Sequence, residues 1–184
     1  MDIKIIKPES ISDKEIILLE DVLCSQRWEF HSSPVVTNED IKRNVESGYY
    51  SGVDKALFFI YVDNQIAGVM RLFDLGDDFE DDETPLFDIR IKSEFRKKAI
   101  GENAVRYLIK YVFENYSNKW RFEGTTRADN LAMRKLFEKC GFVKEAHYRK
   151  AWPDMNGNKF DCTGYGILRE DWEKGIKTEV KFYD

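Results

Sequence analysis

Apolar positions along this chain switch between two spacings, and the switches mark its elements. Near the start, Lys4-Ile5-Ile6 reads as a short strand stopped by Pro8. Ser12 or Asp13 caps a helix whose apolar positions Ile16, Ile17, Leu19 and Leu23 partly follow helical spacing. Thr37 or Asn38 caps a second, with Ile41 and Val45 on one face and Gly48 at its end. Ala56–Val62 and residues 66–73 flank a turn at Asp63-Asn64. Their aromatic and β-branched content predicts an antiparallel hairpin.

The second half alternates more cleanly. Leu86–Ile91 reads as a strand with Phe87, Ile89 and Ile91 on one face. From Ile100 the period lengthens: Ala104, Val105, Leu108, Ile109, Val112 and Phe113 follow at helical spacing, an amphipathic helix. Residues 120–126 form another strand. Asp129 or Asn130 then caps a helix carrying Met133, Leu136, Phe137 and Cys140 on one stripe, stopped by Gly141. Residues 142–152 and 160–168 predict a hairpin around the Asn156-Gly157 turn. Mixed strands and helices with a βαβα segment in the middle define one α/β (α+β mixed) domain over residues 1–184.

Composition narrows the class. Apolar residues make up 42% and charged residues 34%, the balance of a globular chain. No apolar run reaches the roughly 18–20 residues that span a bilayer, and the N-terminus lacks a signal-peptide pattern, so the cytoplasm is the expected location and no membrane partner is expected. Cys24, Cys140 and Cys162 are too scattered for a disulfide framework or a zinc cluster, and His31 and His147 are the only histidines, so no metal site is expected. A net charge of -5 argues against non-specific nucleic-acid binding. The charge is uneven: seven acids lie between Asp74 and Glu83, with the basic Arg96-Lys97-Lys98 soon after.

That basic cluster holds the most informative chemistry. Arg96-Lys97-Lys98-Ala99-Ile100-Gly101 leads from a strand straight into the long helix. A helix start carries unpaired N–H groups and partial positive charge, which suits a phosphate. Ala99 and Gly101 are small enough to let a pyrophosphate approach; a basic, solvated turn is the plainer alternative. The hexapeptide resembles the R/Q-x-x-G-x-G/A acyl-CoA signature of the GNAT acyltransferase superfamily. Two further stretches resemble it in the right order. The helix from Asn130 ends in Gly141-Phe142. The tail Tyr165-Gly166-Ile167-Leu168-Arg169-Glu170-Asp171-Trp172 is similar to that of the ribosomal-protein N-terminal and polyamine acetyltransferase branch. Together the likenesses cover roughly residues 57–172.

The resemblance implies a GNAT-like central mixed, mostly antiparallel sheet, flanked by helices, with two splayed parallel strands at 86–91 and 122–126. It implies acetyl-CoA as cosubstrate and direct transfer of an acetyl group to a small cationic amine or a protein N-terminus, with a homodimer as the family's expectation. Ile89 and Ile91 would pair with the pantetheine arm. Arg96, Lys97, Lys98, Ala99, Ile100 and Gly101 would hold the pyrophosphate, and Asn130 would contact the arm, although a plain helix cap also accounts for it.

Two residues depart from the pattern. Ala99 stands at a glycine position, which is tolerable where the local φ is negative. Phe137 replaces the tyrosine that protonates the leaving thiolate in many members. A thiol with a pKa of about 8.5 leaves as thiolate at a cost of only about 2 kcal/mol at pH 7, and water, Tyr148 or Tyr165 can substitute. The amine, with a pKa near about 10, must lose a proton before attack. Asp88 is the first choice of acceptor and Glu123 the second; ion pairs, Asp88 with Arg90 or Arg127, are the alternative. The Ile89 N–H would hold the oxyanion.

Other residues point less far. Cys140 sits on an apolar stripe, and His147 reads as structural. The acidic run at 74–83 leans toward a cationic acceptor. Trp28, Glu29 and Phe30 either line an acceptor cleft or anchor the core. A non-catalytic acyl-CoA-binding or regulatory module is the competing reading, prompted by Phe137 and Ala99.

Overall fold

The computed structural model describes residues 1–76 and 84–181. Most of the acidic run therefore lies outside the described residues. The elements are β1 (Ile3–Ile6), α1 (Asp13–Leu23), α2 (Asn38–Glu46), β2 (Ala56–Val62), β3 (Gln65–Phe73), β4 (Leu86–Ile91), α3 (Ile100–Asn115), β5 (Arg121–Arg127), α4 (Leu131–Lys139), β6 (Val143–Pro153), β7 (Lys159–Leu168) and α5 (Arg169–Lys174). They form two antiparallel sheets, ordered β1-β2-β3-β4 and β5-β7-β6. Strand content thus follows the expected mixed fold, with β4 and β5 each at the edge of its own ladder.

Two compact units result, residues 1–29 with 33–104, and residues 30–32 with 105–184. In the first, α1 starts at a reciprocal capping box of Ser12 and Glu15, and α2 at one of Thr37 and Asp40. Both satisfy the helix-start N–H groups locally. Leu19, Val22, Leu23 and Ile41 from these helices bury against Leu57, Phe59 and Val69 of the sheet, with Trp28 and Tyr50 completing the cluster. Burial of each such large side chain contributes roughly 1.5–3 kcal/mol. The β2–β3 turn puts Asp63 and Asn64 at φ 48° and 66°, the pair of left-handed residues a tight hairpin needs.

One contact fixes the edge of this sheet. A Cβ on Gly68 would lie 2.4 Å from the Arg90 carbonyl oxygen and 3.2 Å from the Ile91 Cα, so β3 and β4 close to this spacing only with glycine there.

In the second unit, aromatic rings carry the packing. Phe137 stacks on Tyr165 at 4.7 Å and meets Phe142 edge-on at 5.1 Å, and Phe142 packs on Phe122 at 5.7 Å. Arg169 closes the C-terminal end of α3 by donating to the carbonyls of Phe113, Tyr116 and Lys119 at 2.6, 2.6 and 2.9 Å. The Phe113 carbonyl is one that a helix end leaves without a helical partner, and those of Tyr116 and Lys119 belong to the turn that follows. The short helix α5 and a 3-10 turn at Ser93–Phe95 were not signalled by any periodic pattern.

Gly68→Ala should lower stability by at least about 2 kcal/mol, since neither the Arg90 carbonyl nor the Ile91 backbone can move without breaking the ladder. Urea unfolding measures this; an unchanged midpoint would mean that the strands lie farther apart.

Candidate functional site

The register of β4 decides what each of its residues offers. The Lys92 N–H donates to Ala67 O at 2.9 Å, continuing a ladder in which Gly68 faces Ile91 and Arg71 faces Asp88. Hydrogen-bonded pairs alternate along an antiparallel ladder. Arg90 and Asp88 therefore spend their backbone groups on β3, whereas Phe87, Ile89 and Ile91 turn theirs toward the outer edge. Arg96 bears this out: its Nε reaches around to donate to the Ile91 carbonyl at 2.9 Å.

The chain then enters α3 through an unusual backbone. Lys97 has φ 60° and Ala99 φ 58°, with Lys98 between them. Alternating handedness turns successive N–H groups toward a common concavity, a nest for an anion. The first helical bond runs from Asn103 N–H to Ala99 O at 3.1 Å, and the Asn103 side chain donates to the same oxygen at 2.9 Å. The N–H groups of Ile100 and Gly101 thus fall before the helix ladder begins. Arg96, Lys97, Lys98 and Ala99 are exposed, Ile100 is buried and Gly101 half-buried. The condition under which alanine is readily tolerated at position 99, a negative φ, is not met. The residue keeps the glycine-like conformation and bears the steric cost of its Cβ, about 1–2 kcal/mol.

Asp88 lies on the α1/α2 face of the sheet. Its Oδ2 accepts from Arg90 Nε at 3.3 Å, so the ion pair weighed against a catalytic role is present. Trp28 is 3% exposed and its indole N–H donates to Leu23 O at 2.8 Å, which makes it a core anchor. The Arg90 and Arg96 guanidinium carbons stand 5.6 and 5.7 Å from its ring centroid. Tyr50 is buried beside Asp88 and Arg90; burial pushes its phenol above the usual range, against a hydrogen bond with Asn44.

The remaining candidates belong to the second unit. Glu123 Oε1 accepts from Arg121 Nε at 2.5 Å, and Arg121 also forks onto Glu145. These carboxylates, Glu145 foremost, drive the Arg121 pKa upward and keep it charged. The pair lies across Gly166, where a Cβ would come within 2.7 Å of the guanidinium. Asn130 caps α4: its Oδ1 accepts from Met133 N–H at 3.3 Å and its Nδ2 donates to Thr126 Oγ1 at 3.0 Å. Cys140 is buried, and His147 pairs with Asp161 at 2.8 Å. Phe30 stands 5.2 Å from the Arg127 guanidinium. Tyr165, 1% exposed, accepts from Arg134 Nε at 3.3 Å, whereas Tyr148 is 52% exposed.

Sequence reasoning passed over Arg71. Its signal was a lone arginine in the apolar run from Val69 to Phe73. Among the described residues no group of three or more His, Cys, Asp or Glu is arranged to hold a metal ion, and no helix is long and apolar enough to cross a membrane.

A nest thus leads into the start of α3, beside the outward-turned edge of β4. The acetyltransferase (GNAT) family model matches residues 19–142, and the chain belongs to that family. N-acetyltransfer is the activity that membership carries. No curated protein matches the chain. Solved structures agree in fold. Spermidine N-acetyltransferase from Vibrio cholerae, in complex with CoA and spermine, has a TM-score of 0.74 at 15% identity, covering 93% of this chain and 98% of that one. The ribosomal L7/L12 alpha-N-protein acetyltransferase RimL, in complex with coenzyme A, has a TM-score of 0.74 at 17% identity, covering 89% and 93%. A GNAT-family acetyltransferase from Bacillus anthracis has a TM-score of 0.72 at 18% identity, covering 91% and 96%.

Ala99→Gly should raise stability by about 1 kcal/mol, because glycine adopts positive φ without the Cβ clash. Thermal and urea unfolding read this out; a loss of stability would contradict the left-handed assignment.

Proposed function

We propose that this acetyltransferase moves an acetyl group from acetyl-CoA directly to a primary amine, with residues 96–101 seating the pyrophosphate. The positive φ values of Lys97 and Ala99 at the start of a long helix carry the reading. They converge backbone N–H groups on one point, and Arg96, Lys97 and Lys98 add charge there. Ile89 and Ile91 offer outward backbone groups to a pantetheine arm, as to an added strand. Asn130 retains one lone pair and one amide proton beyond its cap contacts for the same arm. Such a cosubstrate suits a cytoplasmic protein.

When bound, acetyl-CoA supplies the thioester whose carbon forms the new C–N bond as its C–S bond breaks. The chain's own groups manage charge and protons. Asp88 takes the proton that the amine must shed, with Glu123, already held by Arg121, the second candidate. The Ile89 N–H donates to the carbonyl oxygen as negative charge develops. Tyr165 returns a proton to the leaving sulfur in place of the hydroxyl that Phe137 lacks, its ring lying parallel to Phe137. The relatives named for spermidine and for a ribosomal protein's N-terminus both act on amines, which fits.

Calorimetry with acetyl-CoA should show binding, weakened about tenfold in Arg96→Ala, the equivalent of about 1.4 kcal/mol. In a thiol-release assay, Asp88→Asn should lose about 100-fold or more in kcat with cofactor affinity intact, and Tyr165→Phe about 10–100-fold. Unchanged turnover in Asp88→Asn removes it as the base. Binding with no thiol release for any amine, peptides included, would favour the non-catalytic acyl-CoA module that Phe137 suggests.

A further inference from the structure

The first unit carries a charge arrangement that proton transfer alone does not use. On the α1/α2 face of the sheet, Arg71 stands directly across from Asp88, and Arg90 lies one diagonal step away, across from Val69. Diagonal neighbours on adjacent strands sit about 7–8 Å apart, close enough for long side chains to converge. The register therefore places two arginines beside one carboxylate on the same face, Arg90 in contact with it. Arg71 is clamped between rings, its guanidinium carbon 3.8 Å from the Tyr49 centroid and 4.2 Å from that of Phe73. Its Nη1 donates to Tyr49 O at 3.3 Å. Arg90 donates through Nε to Asp88 and rests against Trp28.

Each arginine keeps one donor that is shut off from water and has no hydrogen-bond partner among the described residues: Nε of Arg71 and Nη1 of Arg90. Buried N–H groups on a charged side chain are costly when unpaired, and native chains rarely leave them so without a function. Two such donors, held by aromatic packing on one sheet face, make a binding site for a planar anion. Asp88 beside them suits the opposite charge.

We propose that the acceptor is a small zwitterion, an amine that also bears a carboxylate, with the carboxylate held by Arg71 and Arg90 and the ammonium by Asp88. This rests on the acetyltransferase reading and names the substrate class of the same site. It replaces the cationic acceptor that the acidic run suggests. A polyamine would bring only positive charge to two arginines and would leave both buried donors unpaired. A free amino acid or short ω-amino acid satisfies both and gives up its ammonium proton to Asp88. The N–C bond then forms on the acetyl carbon, the C–S bond breaks, and an N-acetylated acid and the free thiol leave.

The test compares matched pairs that differ in one charge. The common L-amino acids, β-alanine and γ-aminobutyrate are assayed by thiol release against their carboxamides and against spermidine, and binding of each to the CoA-saturated protein is measured by calorimetry. At least one acid should exceed its carboxamide by about 100-fold or more in kcat/KM, since a site built for a polar group rejects the analogue lacking it. Arg71→Met, which keeps a side chain between the two rings, and Arg90→Gln should each raise KM for the acid and erase the preference. CoA affinity should stay within about twofold of the parent, because neither arginine belongs to the pyrophosphate loop. Carboxamides or spermidine used as well as any acid would overturn the proposal. So would CoA binding with no acid bound or acetylated better than its carboxamide. Failure to take up CoA, with acids still bound through Arg71, would instead sink the acetyltransferase reading and leave the anion site standing.

Discussion

The close approach of β3 and β4 at Gly68 is the constraint on which the candidate site depends. Because no side chain separates the two backbones there, the ladder runs without a bulge from Gly68 to Phe73. That unbroken alternation assigns every residue of β4 a direction. Ile89 and Ile91 turn backbone groups outward, and Asp88 and Arg90 place side chains over the helices. A slip of one residue would exchange these roles and bury the charges on the wrong face. One hydrogen atom in place of a methyl thus keeps the outward backbone groups and the charged side chains on different aspects of a six-residue strand.

Two arginine clusters show how differently the same side chain can be used. Arg121 meets Glu123 and Glu145 through Nε and both terminal nitrogens and lies across Gly166, so each of its three nitrogens already donates within the protein. It behaves as a structural tie between β5 and β6 over the central strand β7. Arg71 and Arg90 are equally confined, yet each has a donor that no other described residue satisfies. Confinement with saturation stabilises; confinement without it confers readiness to bind.

Much of the architecture was legible in the residues because local chemistry and burial agree. The period change at Ile100, the caps at Ser12 and Thr37, and the Asn156-Gly157 turn each act within a few residues of their cause, and the elements fall where they point. The expected strand at 120–126 is observed at Arg121–Arg127, although the Trp120 carbonyl still accepts from Arg169 N–H at 2.7 Å. The left-handed φ of Ala99 was not legible, because a residue's identity does not reveal its φ when the surrounding loop can impose it. Arg71 was invisible as a binding group because its partners, Tyr49 and Phe73, are 22 and two positions away, and only the folded sheet brings both rings to one guanidinium. Helix α5 lacked a periodic signal because six residues complete fewer than two turns.

The left-handed pair at Lys97 and Ala99 has a kinetic consequence. Its conformational cost is met when the chain folds, before any ligand arrives. Under the proposed pyrophosphate seat, the N–H groups would already converge before encounter, and association would need no backbone rearrangement. Differences in affinity among acyl thioesters would then reside in how long each complex lives.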